Sequence, residues 1–362
     1  MNSIDKWTNL GDKIDFSISL YYGGGLGDLI HRLYDSYYLR TLRHIKIIFP
    51  NLKINLLIDT SRNMESAKAL FETNPYIDNI FIWQQKFTNQ DIYAMVSNVI
   101  GDRKGEFNRF MPEMDNETVF LRMINRIYEL TAFPRLRTIT MDDFFQQMAL
   151  RIEDFEMDEP KIYLKPDEKE YGKKLVSDLK ANGNKVVAVH FFSGQETKMI
   201  KPQAAKDIVR WLIADGYKVV IMGTKQEAEP ELHNGDKKDM VLMLKGFRGH
   251  PDVTYLCDDT GIRHKVSVIA NCDYMVCNDS GLMHAAWFYR VKTVSLLNPD
   301  TFDRFQKKGG YYWAITDKAS HTSYVLFNRD SRLVDVKLIE QRMVNFDEKE
   351  KEEAAKKTSE ER

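Results

Sequence analysis

Short apolar runs separated by amphipathic stretches set the rhythm of this chain. Residues 15–22 (DFSISLYY) alternate with β-branched and aromatic side chains, the period-two pattern of a strand. A glycine-rich turn follows, and then Leu29, Leu33 and Tyr37 recur at helical spacing through LIHRLYDSYYLRTLRHI. KINLLID (53–59) predicts a buried strand, SAKALFETN (66–74) a helix and IDNIFIW (77–83) another strand. Strand–helix–strand alternation with short connections predicts a parallel sheet covered by helices. Beyond residue 84 the rhythm weakens. QDIYAMVSNVI and ETVFLRMINRIYELTAF have helical spacing, and the polar GDRKGEFNRFMPEMDN between them predicts a loop.

The second half restarts the same pattern. EKEYGKKLVSDLKANG predicts a helix closed by Gly183, KVVAVHFF (185–192) a strand, and SGQETKMIK the loop after it. PQAAKDIVRWLIADG predicts a helix led by Pro202 and closed by Gly216. KVVIMG (218–223), DYMVCN (273–278) and VKTVSLL (291–297) predict further strands, KVSVIANC a helix, and SGLMHAAWFYR the opening of another. The expected organisation is a Rossmann-like lobe over 1–165, a second over 166–330, a helix over 331–346 and a mixed-charge tail over 347–362. For the tail a solvated helix extension or disorder is expected. Two Rossmann-like lobes in tandem place a ligand site in the cleft between them.

Charge narrows the function classes. The chain carries 52 basic and 53 acidic side chains, a net charge of −1. No basic excess exists to neutralise phosphates, which disfavours a nucleic-acid partner without removing local patches. No apolar run approaches the ~20 residues of a membrane helix, and MNSIDKWTNLGDKIDF lacks the order of a signal peptide. A cytoplasmic location is expected, with peripheral contact at the inner face of the membrane left open. The basic helix around Arg40, Arg43, His44 and Lys46 could approach an anionic surface, although a solvated face is the plainer reading. The cysteines Cys257, Cys272 and Cys277 have no C-x-x-C spacing, so buried apolar thiols are expected rather than disulfides or zinc.

Four loops at strand ends could carry chemistry. In Gly23-Gly24-Gly25-Leu26-Gly27-Asp28, the glycines Gly25 and Gly27 let backbone approach a ligand. Asp28 at the sixth position would repel a pyrophosphate, so a dinucleotide site is disfavoured; the carboxylate either caps the next helix or serves as a general base. In Cys277-Asn278-Asp279-Ser280-Gly281-Leu282-Met283-His284, Asp279 is an N-cap or a holder of sugar hydroxyls. The N–H groups of Ser280 and Gly281 suit a phosphate, and His284 is a core histidine or part of the site. The loop Ser193 to Pro202 offers Lys198 and Lys201, either solvated or facing the charge on a departing diphosphate. After the next strand, Gly223-Thr224-Lys225-Gln226-Glu227 offers Glu227 for ribose hydroxyls or for helix initiation. No D-x-D motif occurs and the histidines lack ligand spacing, so neither a catalytic metal nor a cofactor is expected.

Taken together and in order, these loops resemble glycosyltransferase family 9, the ADP-heptose:lipopolysaccharide heptosyltransferase family, over roughly residues 15–300. Its most distinctive motif, Asp-(Ser/Thr)-Gly-x-x-His-x-Ala-Ala, stands here as Asp279 to Ala286, one residue short. Its Lys-x-Trp-Pro becomes Lys198-Met-Ile-Lys201-Pro, without the tryptophan, which leaves the register of the lysine open between Lys198 and Lys201. The resemblance implies an α/β fold of GT-B type, two Rossmann-like lobes with parallel sheets facing a central cleft. It implies inverting, metal-independent transfer of a sugar from a nucleoside-diphosphate donor to a glycan or glycolipid hydroxyl. In that scheme Asp28 is the base, Lys198 or Lys201 faces the diphosphate, Glu227 binds ribose and Asp279 touches the sugar. The stretch 84–160, where the family reads its acceptor, offers no usable match. Protein or modified phage DNA as acceptor, an inactive nucleotide-sugar-binding protein, and an epimerase of the same fold remain alternatives.

Overall fold

The computed structural model describes residues 17–23, 30, 37–48, 50, 53–59, 64–83, 128–129, 156, 158–159, 161–257, 260–306, 321–328 and 330–360. The chain divides into two units, Met1–Tyr163 and Leu164–Arg362. Each is built on a wholly parallel sheet, as expected for Rossmann-like lobes.

In the first unit β1 (Ser17–Gly23) pairs with β2 (Lys53–Asp59), and β2 pairs with β3 (Asn79–Trp83). Between them run α1 (Tyr37–Ile48) and α2 (Met64–Phe71). Leu42, Ile45 and Ile48 are buried along one face of α1, and Ile54 and Leu56 are buried on β2. The expected helix over 117–133 is corrected at its centre, because Tyr128–Glu129 form a short strand, β4, on the free edge of β1. The sheet order is therefore β3-β2-β1-β4.

Among the described side chains of α1, Arg43, His44 and Lys46 are engaged inside this unit. Arg43 reaches Glu156 and Asp158, each at 2.8 Å, and His44 Nδ1 accepts the Glu156 N–H at 2.7 Å. Lys46 lies 2.6 Å from Asp78, whose same oxygen accepts the Ile54 N–H. Arg43 and Lys46 are thus paired with acidic side chains of the same unit.

The second unit holds the larger sheet. Its elements are α3 (Pro166–Leu179), β5 (Val186–His190), α4 (Pro202–Ala214), β6 (Lys218–Met222), α5 (Gly235–Lys245) and β7 (Val253–Leu256). They continue through α6 (Ile262–Asn271), β8 (Tyr274–Asn278), α7 (Gly281–Phe288), β9 (Lys292–Leu297), α8 (Pro299–Gln306) and β10 (Thr322–Leu326). The helix expected over 331–346 begins later and runs much further, as α9 (Val336–Glu360). Ile339, Met343 and Phe346 bury one stripe of it, and beyond them Asp347 and Glu350 bind lysines. Of the two alternatives for the tail, a solvated helix extension or disorder, the structure shows the helix extension as far as Glu360. Charged residues extend a helix without marking a buried face, which is why composition alone left both open.

Strand order is β10-β9-β8-β5-β6-β7, the doubly wound arrangement in which the chain leaves β5 first to one side and then to the other. Val187, Val189, Val276 and Val294 are fully buried on the central strands, which explains their near-continuous apolar runs. Helices α3 and α6 approach closely at Gly172, where a Cβ would fall 2.3 Å from Ser267 Oγ. The same contact encloses a two-pronged pair, Arg263 Nε and Nη2 to Glu168 Oε1 and Oε2 at 2.8 and 2.7 Å. No helix among the described residues is long and apolar enough to cross a membrane.

Candidate functional site

The strand order itself marks a place in the second unit. Loops leaving the carboxyl ends of β5 and β8 diverge there, and such a switch point opens the crevice where open α/β sheets bind ligands. Two of the four sequence loops, Ser193 to Pro202 and Asp279 to His284, leave from these two strand ends.

Asn278, the last residue of β8, is wholly buried and donates Nδ2–H to the carbonyl of Phe191 at 2.6 Å. That bond ties the ends of the two diverging strands together. Its Oδ1 has no hydrogen-bond partner among the described residues. On the other side of β5, His190 Nδ1 lies 2.9 Å from the carbonyl of Met222, which fixes the end of β6 as well. The floor of the crevice is therefore stitched by side chains where the sheet's own ladder ends.

Asp279 comes next, with only 10% of its side chain exposed. The helix α7 is capped by Ser280, whose Oγ accepts the Met283 N–H at 3.4 Å, so the Asp279 carboxylate is released from capping duty. Its Oδ2 instead lies 2.6 Å from Lys198 Nζ, and its Oδ1 lies 3.9 Å from His284 Nε2. The latter distance is too long for a hydrogen bond and leaves only an electrostatic contact. His284 is buried one turn into α7 and packs edge-on against Trp287, with ring centroids 5.1 Å apart. It is a packed histidine, and its Nε2 edge faces the Asp279 carboxylate. The backbone N–H groups of Ser280, Gly281 and Leu282 begin α7, where the helix has no acceptor of its own to offer them.

The two candidate lysines part company. The segment Glu196–Lys198 makes a single 3-10 turn that brings Lys198 to Asp279, whereas Lys201 Nζ turns to Asp236 at the start of α5, 2.6 Å away. The loop that carries them is held at several points. Ser193 Oγ donates to the carbonyl of Asp279 at 3.3 Å, Lys237 to the carbonyl of Gly194 at 3.1 Å, and Asn298 to the carbonyl of Thr197 at 2.9 Å. Arg332 adds donations to the carbonyl and carboxylate of Glu196 at 2.9 and 3.1 Å.

After β6, Gly223 is a position where no side chain fits. A Cβ would lie 2.9 Å from the Phe192 ring and 3.1 Å from Cys257 Sγ. Thr224 and Glu227 then close a reciprocal box, Thr224 N–H to Glu227 Oε2 at 2.8 Å and Glu227 N–H to Thr224 Oγ1 at 3.1 Å. No helix begins here: the box closes a turn over 225–228 ahead of the 3-10 piece Pro230–Leu232. Glu227 thus shapes a turn rather than starting a helix, and its carboxylate is fixed near the end of β6. Gly25, Gly27 and Asp28 lie outside the described residues; β1 ends at Gly23. Thiol chemistry has no place at the site. Burial pushes the Cys277 thiol well above its ordinary value, with the Asp279 charge adding to the effect, and Cys272 is pushed up to about 12 by burial.

Sequence reasoning missed Asn278, Asp236, Asn298 and Arg332. Asn278 carried a readable signal, an amide at the end of an otherwise apolar strand. The other three are far from one another in sequence and meet the lysine loop only through the fold.

Comparison with known proteins gives this geometry its setting. The family model for glycosyltransferase family 9 (heptosyltransferase) matches residues 136–326, more than half of the chain. Two relatives from Campylobacter jejuni, both lipooligosaccharide heptosyltransferase 2, are 34% and 44% identical over 89 residues. Each match spans 25% of this chain and 26% of the relative's length. Among solved structures, the ADP-heptose LPS heptosyltransferase II of E. coli superposes with a TM-score of 0.50 at 13% identity, covering 93% of this chain and 100% of that one. Identity that low speaks for the fold alone, which is α/β of the GT-B type. The site motif, the doubly wound sheet that presents it and the matched family model lead to one conclusion: the chain belongs to glycosyltransferase family 9.

Proposed function

We propose that the chain is an inverting, metal-independent glycosyltransferase that moves a sugar from a nucleoside-diphosphate donor, of the ADP-heptose kind, to a hydroxyl of a lipopolysaccharide-type glycan. The observation that carries this is the pairing of Lys198 with Asp279 beside the open end of α7. A cation and a helix amino end suit the negative charge that grows on a departing diphosphate. A shielded carboxylate next to them suits the hydroxyls of the transferred sugar. The absence of a D-x-D motif supports a role for Lys198 and α7 in place of a metal.

In this scheme Lys198 exchanges Asp279 for the diphosphate, and Asp279 then accepts sugar hydroxyls. Glu227 holds the ribose from the turn after β6. The acceptor hydroxyl gives its proton to the carboxylate of Asp28 while its oxygen bonds to the anomeric carbon from the opposite face. The bond from that carbon to the diphosphate breaks, and its electron pair leaves with the nucleoside diphosphate. The donor type comes from the family resemblance and from the heptosyltransferases to which the chain is similar.

Calorimetric titration with ADP-, GDP- and UDP-sugars tests the donor half of the proposal. One of them should bind saturably, and nucleoside diphosphate should be released only when an acceptor glycan is present. Binding of none overturns the donor site, and binding with no transfer to any glycan indicates an inactive sugar-nucleotide-binding protein instead. Asp28→Ala should lower turnover by ~10²–10⁴ with donor affinity kept. A loss smaller than about tenfold removes Asp28 from the role of base.

A further inference from the structure

Arg332 lies between β10 and α9, beyond residue 326, where the family match ends. It is 93% buried, with 7% of its surface exposed, and its backbone sits at φ 51°, a left-handed conformation that side chains rarely adopt. Strained backbone persists where the surroundings over-determine it, and here they do. The Arg332 N–H donates to the carbonyl of Asn328 at 2.8 Å, and the Arg332 carbonyl accepts the Lys201 N–H at 2.9 Å. The guanidinium donates through Nη1 to the carbonyl of Glu196 at 2.9 Å and through Nη2 to Glu196 Oε1 at 3.1 Å. The same Nη2 makes a close ion pair with Asp236 Oδ2, the oxygen that also holds Lys201.

These contacts bracket the lysine segment. One end, Glu196, is gripped at main chain and side chain, and the other end, Lys201, is gripped at its N–H. Lys198 stands between the two grips, on the 3-10 turn. The charges close within the cluster as well: Arg332 and Lys201 against Glu196 and Asp236. Lys201 is thereby spent on the brace, while Lys198 is directed to Asp279.

We propose that Arg332 is a positioning residue for donor binding: it braces the 196–201 segment so that Lys198 is delivered to the diphosphate. This rests on the reading of Lys198 given above. A planar fork with several donors is suited to the task, because one group must satisfy a carbonyl and two carboxylates at once. A lysine in its place could reach only part of that set. The segment after the family's matched span is accordingly part of the donor site's scaffold.

The test is a double-mutant cycle read by calorimetry, using whichever of ADP, GDP and UDP binds the unaltered chain. Arg332→Gly removes the guanidinium while suiting the left-handed backbone, and should weaken binding by about tenfold or more, as misplacing a binding group by an ångström can. Added guanidinium ion should recover part of the loss. In a Lys198→Ala background the same change should cost less than about twofold further, since there is no lysine left to place. Should Arg332→Gly fail to fold, Arg332→Lys is read in the same cycle, with a smaller loss expected. Unchanged affinity, or an equal loss in both backgrounds, overturns the brace. A loss with Lys198→Ala but none with Arg332→Gly overturns the brace and leaves the donor reading standing. No loss with Lys198→Ala overturns the assignment of the lysine, and the brace falls with it.

Discussion

The sheet of the second unit has a lysine–aspartate cluster at each end, and the two are built differently. At the amino end Lys185, Tyr274 and Lys292, which precede or open three neighbouring strands, converge on Asp347 of α9. Both ammonium groups also lie over the Tyr274 ring, 5.4 and 5.3 Å from its centroid. Asp347 is held down to about 2 against the burial that opposes its charge, by bonds from Lys185, Tyr274 and Lys292. The Tyr274 hydroxyl is pushed far up, first by burial and then by its bond to that carboxylate. At the carboxyl end Asp279 has one lysine at 2.6 Å and one histidine out of bonding range. Three bonds from three elements make a fastening. A single pair beside the start of α7 is a simpler contact, and it is the one that the proposed scheme exchanges for a ligand.

Substitutions should separate the two ends. The largest effect is expected from Asp279→Ala, which should lower transfer by ~10²-fold or more, as removal of one preorganised polar group does in a site of this kind, with little change in Tm. Activity close to normal would deny Asp279 a role with the sugar. Asp347→Ala should do the reverse, costing about 2 kcal/mol through lost charged hydrogen bonds, a fall in Tm of roughly 4–8 °C. Donor affinity should stay the same, and a matching loss of affinity would mean that the two ends are coupled. A comparable change is expected with acid. A carboxylate depressed to about 2 from an unfolded value of ~3.9 adds stability that is complete above ~4 and fades as pH falls toward 2. Melting of the unaltered chain and of Asp347→Asn should therefore differ by a constant amount from about pH 7 to about pH 4 and converge below that. A gap that widens in acid would place the fastening elsewhere.

The legible parts of the fold were those that bury a repeating face. Val187, Val189 and Val276 lie in apolar runs too short for helices and too continuous for loops, so their strands stand out. Tyr128–Glu129 did not, because a two-residue strand leaves no period to read and sits inside a string with helical spacing. Asp279, Ser280, Gly281 and His284 were visible as a group because the candidate site draws on near-consecutive residues at one strand end. Within that group the division of labour was not visible: only the geometry shows Ser280 capping and Asp279 left to face Lys198. The choice between Lys198 and Lys201 was illegible for a similar reason. It depends on Asp236 and Arg332, which lie 35 and 131 residues beyond Lys201 along the chain. Interactions at such separations leave no trace in local pattern.

The buried thiols have a practical consequence. All three cysteines of the sequence are enclosed, Cys257 behind the Gly223 turn and Cys272 and Cys277 at the two ends of β8. The reactive form of a thiol is the thiolate, and burial suppresses it at Cys272 and Cys277. A single cysteine introduced on an exposed helix position, such as Lys349 in α9, would then be the preferred target of a maleimide dye in the native chain. The wild-type sequence can serve unaltered as the background for fluorescence measurements of donor binding, with no native cysteine exchanged and no core contact disturbed.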